Sequence, residues 1–435
     1  MNYSPIIHLE DIEVDLFVED CKLFAVFDSP ANVLFSDNFF KNIRSYKDIF
    51  ATYKMGNNIF FSCKANKSLS FLKICSENDC GVEVSSYYEL VDALKFTNKI
   101  IASGPAKTKD YLKLSIENNA IISVDDYSEL EDIVEINKKT KVLLRLNDVK
   151  DGMISRFGIN ISDIDKCLKL IQKSNIELLG FSFHINNYNL NDRIEAIKKI
   201  VNINNKYSLN IKYIDIGGGF PSNYCSKEEF DNFIKTNRKE NYFNNKNFSS
   251  FYPYYNDIAN EKSLDYILNK TKELLNDIEI IIEPGRSILN NCGITIFEVE
   301  YVKKLPNGDN VIVTNGNINC LSEQWFNTDY LVEPMLYKKN KESKKLKEPF
   351  YASVAGNLCL EQDMITWRKI RFDYLPEKGD YLIYYNTAGY QMDSNESNFH
   401  KIPFVKKYIV KRNNKEYIIK EDESCDCKKN NWFDW

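Results

Sequence analysis

Short apolar runs alternate with stretches of helical periodicity through the first two thirds of the chain. The apolar runs are rich in β-branched and aromatic residues, which is typical of strands buried on both faces of a parallel sheet. They predict strands at 59–63, 81–85, 99–103, 120–124, 141–147, 178–184, 212–216 and 278–283. The stretches between them predict helices at Leu69–Asn78, Tyr87–Lys95, Lys107–Asn118, Tyr127–Lys138, Asp163–Ser174, Leu190–Tyr207 and Leu264–Leu275.

This alternation predicts an α/β fold. Eight strands separated by seven helices meet the requirement of a (β/α)8 barrel, whereas a doubly wound sheet usually has fewer strands. We therefore predict a TIM-like barrel over residues 36–290. Its connection at 220–264 is long and rich in Asn, Lys, Phe and Tyr. Such a connection usually carries short structure of its own or acts as a lid, but a surface excursion packed by its own aromatic residues is an equal alternative.

The pattern changes after residue 290, where strand-like runs follow one another without helical stretches between them. These runs predict a C-terminal antiparallel β domain over residues 291–412, with strands at Thr295–Lys303, Asn310–Thr314, Tyr351–Val354, Trp367–Phe372, Asp380–Tyr385 and Lys407–Val410. An isolated apolar run at 22–27 predicts a strand through which the N-terminal segment, residues 1–35, joins this domain. Residues 413–435 are predicted as a charged tail, whose terminal tryptophans either dock on the surface or stay disordered.

Composition and charge exclude several classes of partner. The 435 residues carry a formal net charge of −5 without a dense basic stretch, so we expect no nucleic-acid partner. The chain has neither an apolar run of transmembrane length nor an N-terminal signal-peptide pattern, so we expect no membrane association. The 11 scattered cysteines are typical of reduced thiols in the cytoplasm. Cys425 and Cys427 lie in the charged tail, and with only 3 histidines in the chain we expect no metal site.

Functional side chains collect at the ends of the predicted barrel strands, where barrels carry their chemistry. These ends hold Lys64, Glu83, His184, the run Gly217-Gly218-Gly219 and the run Glu283-Pro284-Gly285-Arg286. At the rim of an apolar core the pKa of a lysine can be lowered, and its amine can then form a Schiff base. Each residue alone also has an ordinary interpretation, such as a surface lysine, a core histidine or a tight glycine turn.

Taken together, these residues indicate one kind of site. Consecutive glycines leave backbone N–H groups able to form an anion nest, and Arg286 supplies a guanidinium fork for a phosphate. Glu283 offers a carboxylate to a ring nitrogen, and His184 offers a flat aromatic face. A lysine, a phosphate nest, a carboxylate and a stacking ring describe a site for pyridoxal 5'-phosphate (PLP).

The same residues carry a resemblance to a known family. From about residue 20 to 410, the chain resembles the PLP-dependent decarboxylases of the alanine-racemase fold (fold type III), which act on diaminopimelate, ornithine and arginine. The resemblance rests on the motifs Phe61-Ser62-Cys63-Lys64-Ala65-Asn66, Ser155-Arg156-Phe157-Gly158-Ile159, His184, Gly217-Gly218-Gly219-Phe220, Glu283-Pro284-Gly285-Arg286, Gly356-Asn357-Leu358-Cys359 and Ala388-Gly389-Tyr390. Each motif is weak alone, but their order and spacing are specific.

The resemblance implies a role for most of these residues. Lys64 would hold the cofactor as a Schiff base, Glu283 would keep its pyridine nitrogen protonated, and His184 would stack on its ring. The remaining cofactor contacts would come from Glu83, Asn187, Gly217, Gly218, Gly219, Gly285, Arg286 and Tyr390. Members of the family are homodimers with shared active sites. Cys359 of one subunit would therefore reach the other subunit's cofactor and protonate the quinonoid carbon left by CO2 loss.

Departures from the family pattern concern the substrate. Glu83 stands where ornithine-type members have Asp, and Glu333 stands where diaminopimelate decarboxylases have an arginine that reads a distal carboxylate. An acid there would repel a second carboxylate and attract an amine. Glu361 and Asp363, which follow Cys359, are also expected at the distal end of the substrate. With these departures the chain resembles divergent members of the family that act on basic amino acids or on amino-acid adducts, as in polyamine or siderophore synthesis.

Two alternatives to a decarboxylase are consistent with the same barrel. An amino-acid racemase would use the same cofactor, but it would need a tyrosine acid/base in the β domain in place of Cys359. A non-catalytic regulator of the decarboxylase type would keep the fold and lose the cofactor. The presence of Lys64, Glu283 and Arg286 together with Cys359 speaks against the regulator.

Overall fold

The computed structural model describes residues 3–20, 23–150, 152, 155–323, 327–413 and 416–422. Its helices are α1 Ile12–Asp20, α2 Leu23–Val26, α3 Ser36–Thr52, α4 Leu69–Glu77, α5 Tyr87–Ala93, α6 Lys109–Glu117, α7 Tyr127–Ile136, α8 Ile164–Ile171, α9 Leu190–Tyr207, α10 Lys227–Thr236 and α11 Glu261–Leu275. Its strands are β1 Ala31–Phe35, β2 Phe60–Ser62, β3 Gly81–Val84, β4 Ile100–Ala102, β5 Ile121–Val124, β6 Thr140–Arg145, β7 Ile176–Ser182, β8 Tyr213–Asp215, β9 Glu279–Ile281, β10 Gly293–Lys304, β11 Asn310–Thr314, β12 Met335–Tyr337, β13 Phe350–Ala355, β14 Met364–Phe372, β15 Tyr381–Tyr384, β16 Lys406–Asn413 and β17 Glu416–Glu421.

Strands β2 to β9 form a parallel sheet in sequence order, and this sheet closes into a barrel. Closure is made next to β2 and β9, where the Phe60 N–H donates to the Ile282 carbonyl at 2.9 Å and the Ile282 N–H donates to the Asn58 carbonyl at 3.1 Å. All four residues of β3 are buried, as expected for a strand with the barrel interior on one face and helices on the other. The predicted barrel is confirmed, and every predicted barrel strand and helix overlaps an observed one.

A second sheet of nine strands forms the β domain, in the order β14-β13-β11-β10-β1-β16-β17, with β15 paired to both β10 and β12. Most pairs are antiparallel, as predicted, but β1 runs parallel to β16 and β11 runs parallel to β13. The N-terminal segment contributes β1, which pairs with β10 through Ala31–Ile296 and the following residues. Strand β17, within the predicted tail, pairs with β16 as a hairpin; the terminal tryptophans, Cys425 and Cys427 lie outside the described residues.

The strand predicted at 22–27 is wrong, because Leu23–Val26 forms a helical turn and the strand comes later, at Ala31–Phe35. A short apolar run does not distinguish a strand from a buried helical turn. Here the Phe27 N–H donates to the Leu23 carbonyl at 3.2 Å, so the two side chains share one face. Both side chains are buried in a cluster beneath the β sheet.

The long 220–264 connection packs between the barrel and the β domain. It carries structure of its own, helix α10, which begins with a complete capping box formed by Ser226 and Glu229. Four of its buried aromatic residues belong to the same core as the β-domain residues Leu331 and Val332; they are Tyr224, Phe233, Tyr252 and Tyr254. The Tyr254 hydroxyl accepts the Leu331 N–H at 3.0 Å. No described helix is both long and apolar enough to cross a membrane.

Candidate active site

Lys64 lies where the first barrel strand ends. Strand β2 is followed by a single 3-10 turn, Cys63–Ala65, which directs the Lys64 side chain into a pocket at the C-terminal rim of the barrel. Its Nζ lies 2.8 Å from Oε2 of Glu83, which comes from the neighbouring strand β3. Ser62, Ser85 and Ser103 also donate their hydroxyls to this buried carboxylate. The side chains at the ends of three adjacent strands therefore hold the amine in place.

The charge states of this pair differ from the sequence-based expectation. Burial would raise the pKa of Glu83, but Lys64 and the serine hydroxyls outweigh it and lower the pKa to about 2. Desolvation would lower the pKa of Lys64, but Glu83, Tyr390 and Glu283 raise it. The expectation of a lowered lysine pKa is therefore wrong for the protein alone, because the amine meets carboxylates and not only an apolar rim.

Two carboxyl groups, those of Asp215 and Glu283, are in contact at the pocket, and Glu283 lines it. Asp215 ends strand β8 and accepts the Gly217 N–H at 2.9 Å, and its side chain is hydrogen-bonded to that of Glu283. Burial raises the pKa of Asp215 to about 7, and burial together with Asp215 raises the pKa of Glu283 well above its ordinary value. Ionising both of two buried carboxyls in contact is unfavourable, because the two negative charges would repel each other. The pair therefore retains a proton near neutral pH.

His184 follows strand β7 and stands against the glycine turn. A Cβ on Gly217 would lie 2.8 Å from the imidazole Nδ1, so a side chain there would displace the ring. Desolvation, reinforced by the cations Lys64, Arg145 and Arg193, lowers the pKa of His184 to about 3. The ring is therefore neutral under physiological conditions and presents a flat aromatic surface to the pocket.

The glycine turn 217–219 requires glycine at each position. Gly217 and Gly219 have φ of +64° and +78°, in the left-handed region that side chains rarely adopt. A Cβ on Gly218 would lie 2.5 Å from the Glu283 carbonyl oxygen, and one on Gly219 would collide with the guanidinium of Arg193. Successive residues of this kind leave a concave backbone surface suited to an anion.

Arg286 closes the pocket on the side of the β domain. Its Nη1 lies 3.2 Å from Oε1 of Glu323 and donates to the Tyr224 hydroxyl at 3.1 Å. The guanidinium carbon stands 4.2 Å from the ring centroid of Tyr252 and 5.2 Å from that of Tyr390. Tyr224 and Tyr252 belong to the long connection, so this segment packs against Arg286, which lines the pocket.

The pocket has a volume of about 460 Å³ and includes most of the predicted cofactor residues. Those that line it are Lys64, His184, Asn187, Gly218, Gly219, Glu283, Gly285, Arg286 and Tyr390. The Asn187 amide is also engaged with the protein, because it donates to Asp192 at 2.7 Å and accepts the Asn189 N–H at 3.0 Å. Larger surface grooves of 710 and 820 Å³ lie elsewhere and contain none of these residues.

The four residues predicted to act in catalysis or substrate binding from the β domain do not line this pocket. Cys359 and Glu361 are exposed on the loop between β13 and β14. Asp363 is buried and shapes that loop, accepting the N–H groups of Ile318 at 2.8 Å and Leu358 at 2.6 Å. Glu333 is engaged elsewhere, in a buried ion pair with Arg368.

Sequence reasoning missed three acidic residues of the site. Glu89 lines the pocket and accepts the Ser85 N–H at 2.6 Å; the pattern Ser86-x-x-Glu89 directly after a strand end was a usable signal. Asp215 lies near the end of the predicted strand at 212–216, two residues before the first glycine of the run. Glu323, the partner of Arg286, had no local signal, because only the tertiary fold brings it to the barrel. Among the described residues, no group of His, Cys, Asp and Glu is arranged to hold a metal ion.

These residues fit PLP on chemical grounds. The pocket holds a primary amine, a neutral aromatic ring and a carboxyl pair that retains a proton. A glycine turn without room for a Cβ and a guanidinium lie in the same cavity, which is the donor set for a phosphate. No other common cofactor requires an amine, a phosphate site and a carboxyl group together in this way.

Comparison with known proteins agrees with this chemistry. The pyridoxal-binding domain of the pyridoxal-dependent decarboxylases matches residues 37–290. An uncharacterized protein, y4yA, of Sinorhizobium fredii is 30% identical over 402 residues, covering 88% of each chain. A diaminopimelate decarboxylase of Aquifex aeolicus is 26% identical over 456 residues, covering 96% of this chain and 97% of its own.

A comparison with solved structures finds the same kind of protein. The crystal structure of diaminopimelate decarboxylase from Helicobacter pylori complexed with L-lysine aligns with a TM-score of 0.72 at 21% identity, over 93% of this chain and 96% of that chain. The predicted fold, the predicted cofactor and the carboxy-lyase class are thereby confirmed at the level of the family. With its pyridoxal-binding domain matched along more than half of its length, the chain belongs to the pyridoxal-dependent decarboxylases.

Proposed function

We propose that this protein removes the α-carboxylate of an amino acid at the pocket around Lys64. The observation that carries the proposal is the meeting of the Lys64 amine, the Glu283–Asp215 carboxyl pair and the Arg286 guanidinium in one cavity. When bound there, PLP supplies a conjugated ring that accepts the electron pair left on the α-carbon as CO2 departs.

Each residue of the pocket has a separate proposed role in holding the cofactor. Lys64 is the amine that holds the cofactor, and Glu83 keeps that amine at the rim through its contact of 2.8 Å. Glu283, with Asp215 behind it, would share a proton with the ring nitrogen. His184, whose imidazole is neutral, would pack against the ring without placing another positive charge beside it. The glycine turn would hold the phosphate, with Arg286 and Tyr390 as further donors.

The proposal includes a second copy of the chain. Cys359 is an exposed thiol on a β-domain loop and does not line the pocket of its own subunit. In a homodimer with shared sites, this loop enters the partner's pocket, and the thiol delivers a proton to the α-carbon after CO2 has left. Asp363 supports this loop by fixing the backbone on both sides of it, through the N–H groups of Ile318 and Leu358.

For the substrate, we propose a basic amino acid or an amino-acid adduct. Of the three acids expected to read its distal end, Glu333 is engaged by Arg368 and Asp363 by backbone N–H groups. Glu361 alone of the three stands exposed, two residues after Cys359. It would enter the partner's site together with the thiol and attract a distal amine. Measuring CO2 release from lysine, ornithine, arginine, diaminopimelate and a citryl-diaminopropionate adduct identifies the substrate.

Lys64→Ala and Cys359→Ala test the proposal together. Lys64→Ala should abolish both turnover and the borohydride-fixed cofactor label, whereas Lys73→Ala, which removes an exposed lysine of α4 paired with Glu77, should change neither. Cys359→Ala should slow amine release or divert the reaction toward transamination. When the two variants are mixed and allowed to exchange subunits, each mixed dimer has one site with both Lys64 and Cys359, and these sites should contribute about a quarter of the wild-type rate of amine release.

Three results would contradict parts of this proposal. Turnover by Lys64→Ala would remove the cofactor role of Lys64. Unchanged rate and product with Cys359→Ala would make that thiol a structural residue. Failure of the mixture to regain activity, with subunit exchange verified by tagged chains, would exclude shared sites.

A further inference from the structure

Helix α9 carries a buried arginine without a carboxylate partner. Arg193 has no exposed surface, and no described carboxylate forms an ion pair with its guanidinium. Its neighbour Asp192 pairs instead with Lys150, at 2.5 Å. Burial lowers the pKa of Arg193 to about 10, with Tyr188 and Asp192 opposing the shift. A buried cation in this position is costly to the fold unless something else stabilises it.

The hydrogen bonds of Arg193 go to backbone carbonyls of two turns of the site. Its Nη2 donates to the Ile185 carbonyl and to the Gly218 carbonyl, each at 3.1 Å. Its Nη1 donates to the Asn189 carbonyl at 3.4 Å. Ile185 belongs to the turn after β7 and Gly218 to the turn after β8, so one guanidinium joins two turns that face the same pocket.

These bonds fix the direction of two peptide planes. In a trans peptide, the carbonyl and the N–H of the next residue point in opposite directions. Because the carbonyls of Ile185 and Gly218 point at Arg193, the N–H groups of Asn186 and Gly219 point away from it. Both residues line the pocket, and in the described structure neither N–H donates to a protein acceptor. Two unused donors therefore lie on the pocket side of a buried cation.

The sequence also leaves room for this arrangement. Gly219 has φ of +78°, and a Cβ there would collide with Nη2 of Arg193. The glycine thus serves the close approach of the guanidinium from behind, in addition to the shape of the turn in front.

We propose that Arg193 is a positioning residue for the cofactor phosphate: it orients the N–H groups of Asn186 and Gly219 toward the phosphate and supports that dianion with a buried positive charge. The inference rests on the proposed function, in which the phosphate binds at the glycine turn. Arg193 does not touch the phosphate and acts only through the two peptides. In a site of low dielectric constant, a charge behind the donors strengthens their interaction with an anion.

A comparison of PLP with pyridoxal, which lacks the phosphate, isolates this role. Equilibrium binding of both ligands is measured with the apoprotein of the wild type, Arg193→Met and Arg193→Lys. We expect Arg193→Met to weaken PLP binding by about 10- to 100-fold, the range for charge-assisted hydrogen bonds, and to leave pyridoxal binding nearly unchanged. Arg193→Lys keeps the charge but lacks the fork, so it should lose PLP affinity by a smaller factor.

Arg368→Met serves as the matched control, because Arg368 is also buried but pairs with Glu333 in the β domain. It should lower stability without changing the ratio of the two affinities. If Arg193→Met does not fold, Arg193→Lys carries the test alone. Equal losses for PLP and pyridoxal in the Arg193 variants would overturn the inference and leave a purely structural role. If the wild type itself binds both ligands equally, the proposed phosphate site fails as well.

Discussion

A buried ion pair ties the β domain to the segment that follows Lys64. Lys407 of β16 places its Nζ 2.6 Å from Oδ1 of Asp393 and 2.7 Å from Oδ2, and both side chains are 1% exposed. Asp393 Oδ2 also accepts the Lys67 N–H at 2.7 Å. The Asn66 amide donates to the Ala388 carbonyl at 2.9 Å. Asn66 and Lys67, which follow Lys64 closely, are therefore bound to the β domain.

Lys407→Met tests how much this pair contributes. Among the described residues, removing the amine leaves the buried Asp393 carboxylate with the Lys67 N–H as its donor, and an uncompensated buried charge typically costs about 3–5 kcal/mol. Adding Asp393→Asn removes the remaining charge while keeping an acceptor for that N–H. The double variant should therefore recover most of the stability that the single variant loses.

The assay is urea unfolding of the apoprotein at neutral pH, followed by tryptophan fluorescence. Lys406→Met is the control, because the neighbouring Lys406 is 48% exposed and lies 3.4 Å from Glu421, and a solvent-exposed pair of this kind contributes little to stability. A loss in Lys407→Met no larger than in this control would refute the reasoning. So would a double variant as unstable as the single one, because the cost would then not come from an unpaired charge.

Two further predictions concern the site. Glu361→Gln should raise KM for a diamino substrate more than for a neutral amino acid, as steady-state kinetics on both will measure, and equal effects would remove Glu361 from the substrate site. The pKa of Asp215 is raised to about 7 by burial, so between about pH 4 and pH 7 only the unfolded state gives up this proton, and apoprotein stability falls as pH rises. Asp215→Asn should flatten that decline in the urea midpoint, and an unchanged slope would contradict the assignment.

The barrel could be predicted because its signal is local and repeated. Each strand is apolar on both faces, each helix has one apolar face, and the parallel order follows from their alternation. The run at 22–27 gave no such repetition. A single helical turn that buries Leu23 and Phe27 at positions i and i+4 has the same apolar sequence as a short strand. The sequence alone therefore does not distinguish the two.

The residues of the site also fall into those that local sequence predicts and those that only tertiary contacts reveal. Lys64, His184 and Glu283 could be found because barrel topology gathers strand ends at one rim. The partner of Arg286 could not, since Glu323 lies outside the barrel strands and only the tertiary fold brings it to Arg286. The state of charge of Lys64 also depended on neighbours from several elements, which no single stretch of sequence reveals.

The proposed cofactor pocket is therefore formed by residues of both domains. The barrel supplies the amine, the carboxyl pair and the glycine turn, while Glu323, Tyr390 and Asp393 come from the β-domain half of the chain. Opening the contact between the domains would release Arg286 from Glu323 and the Lys67 segment from Asp393 at once. Anything that binds in the pocket and not to the open form must then stabilise the two domains together. The proposed binding of PLP would thus be linked to closure of this interface, and Lys407→Met is expected to weaken that linkage without altering a residue proposed to touch the cofactor.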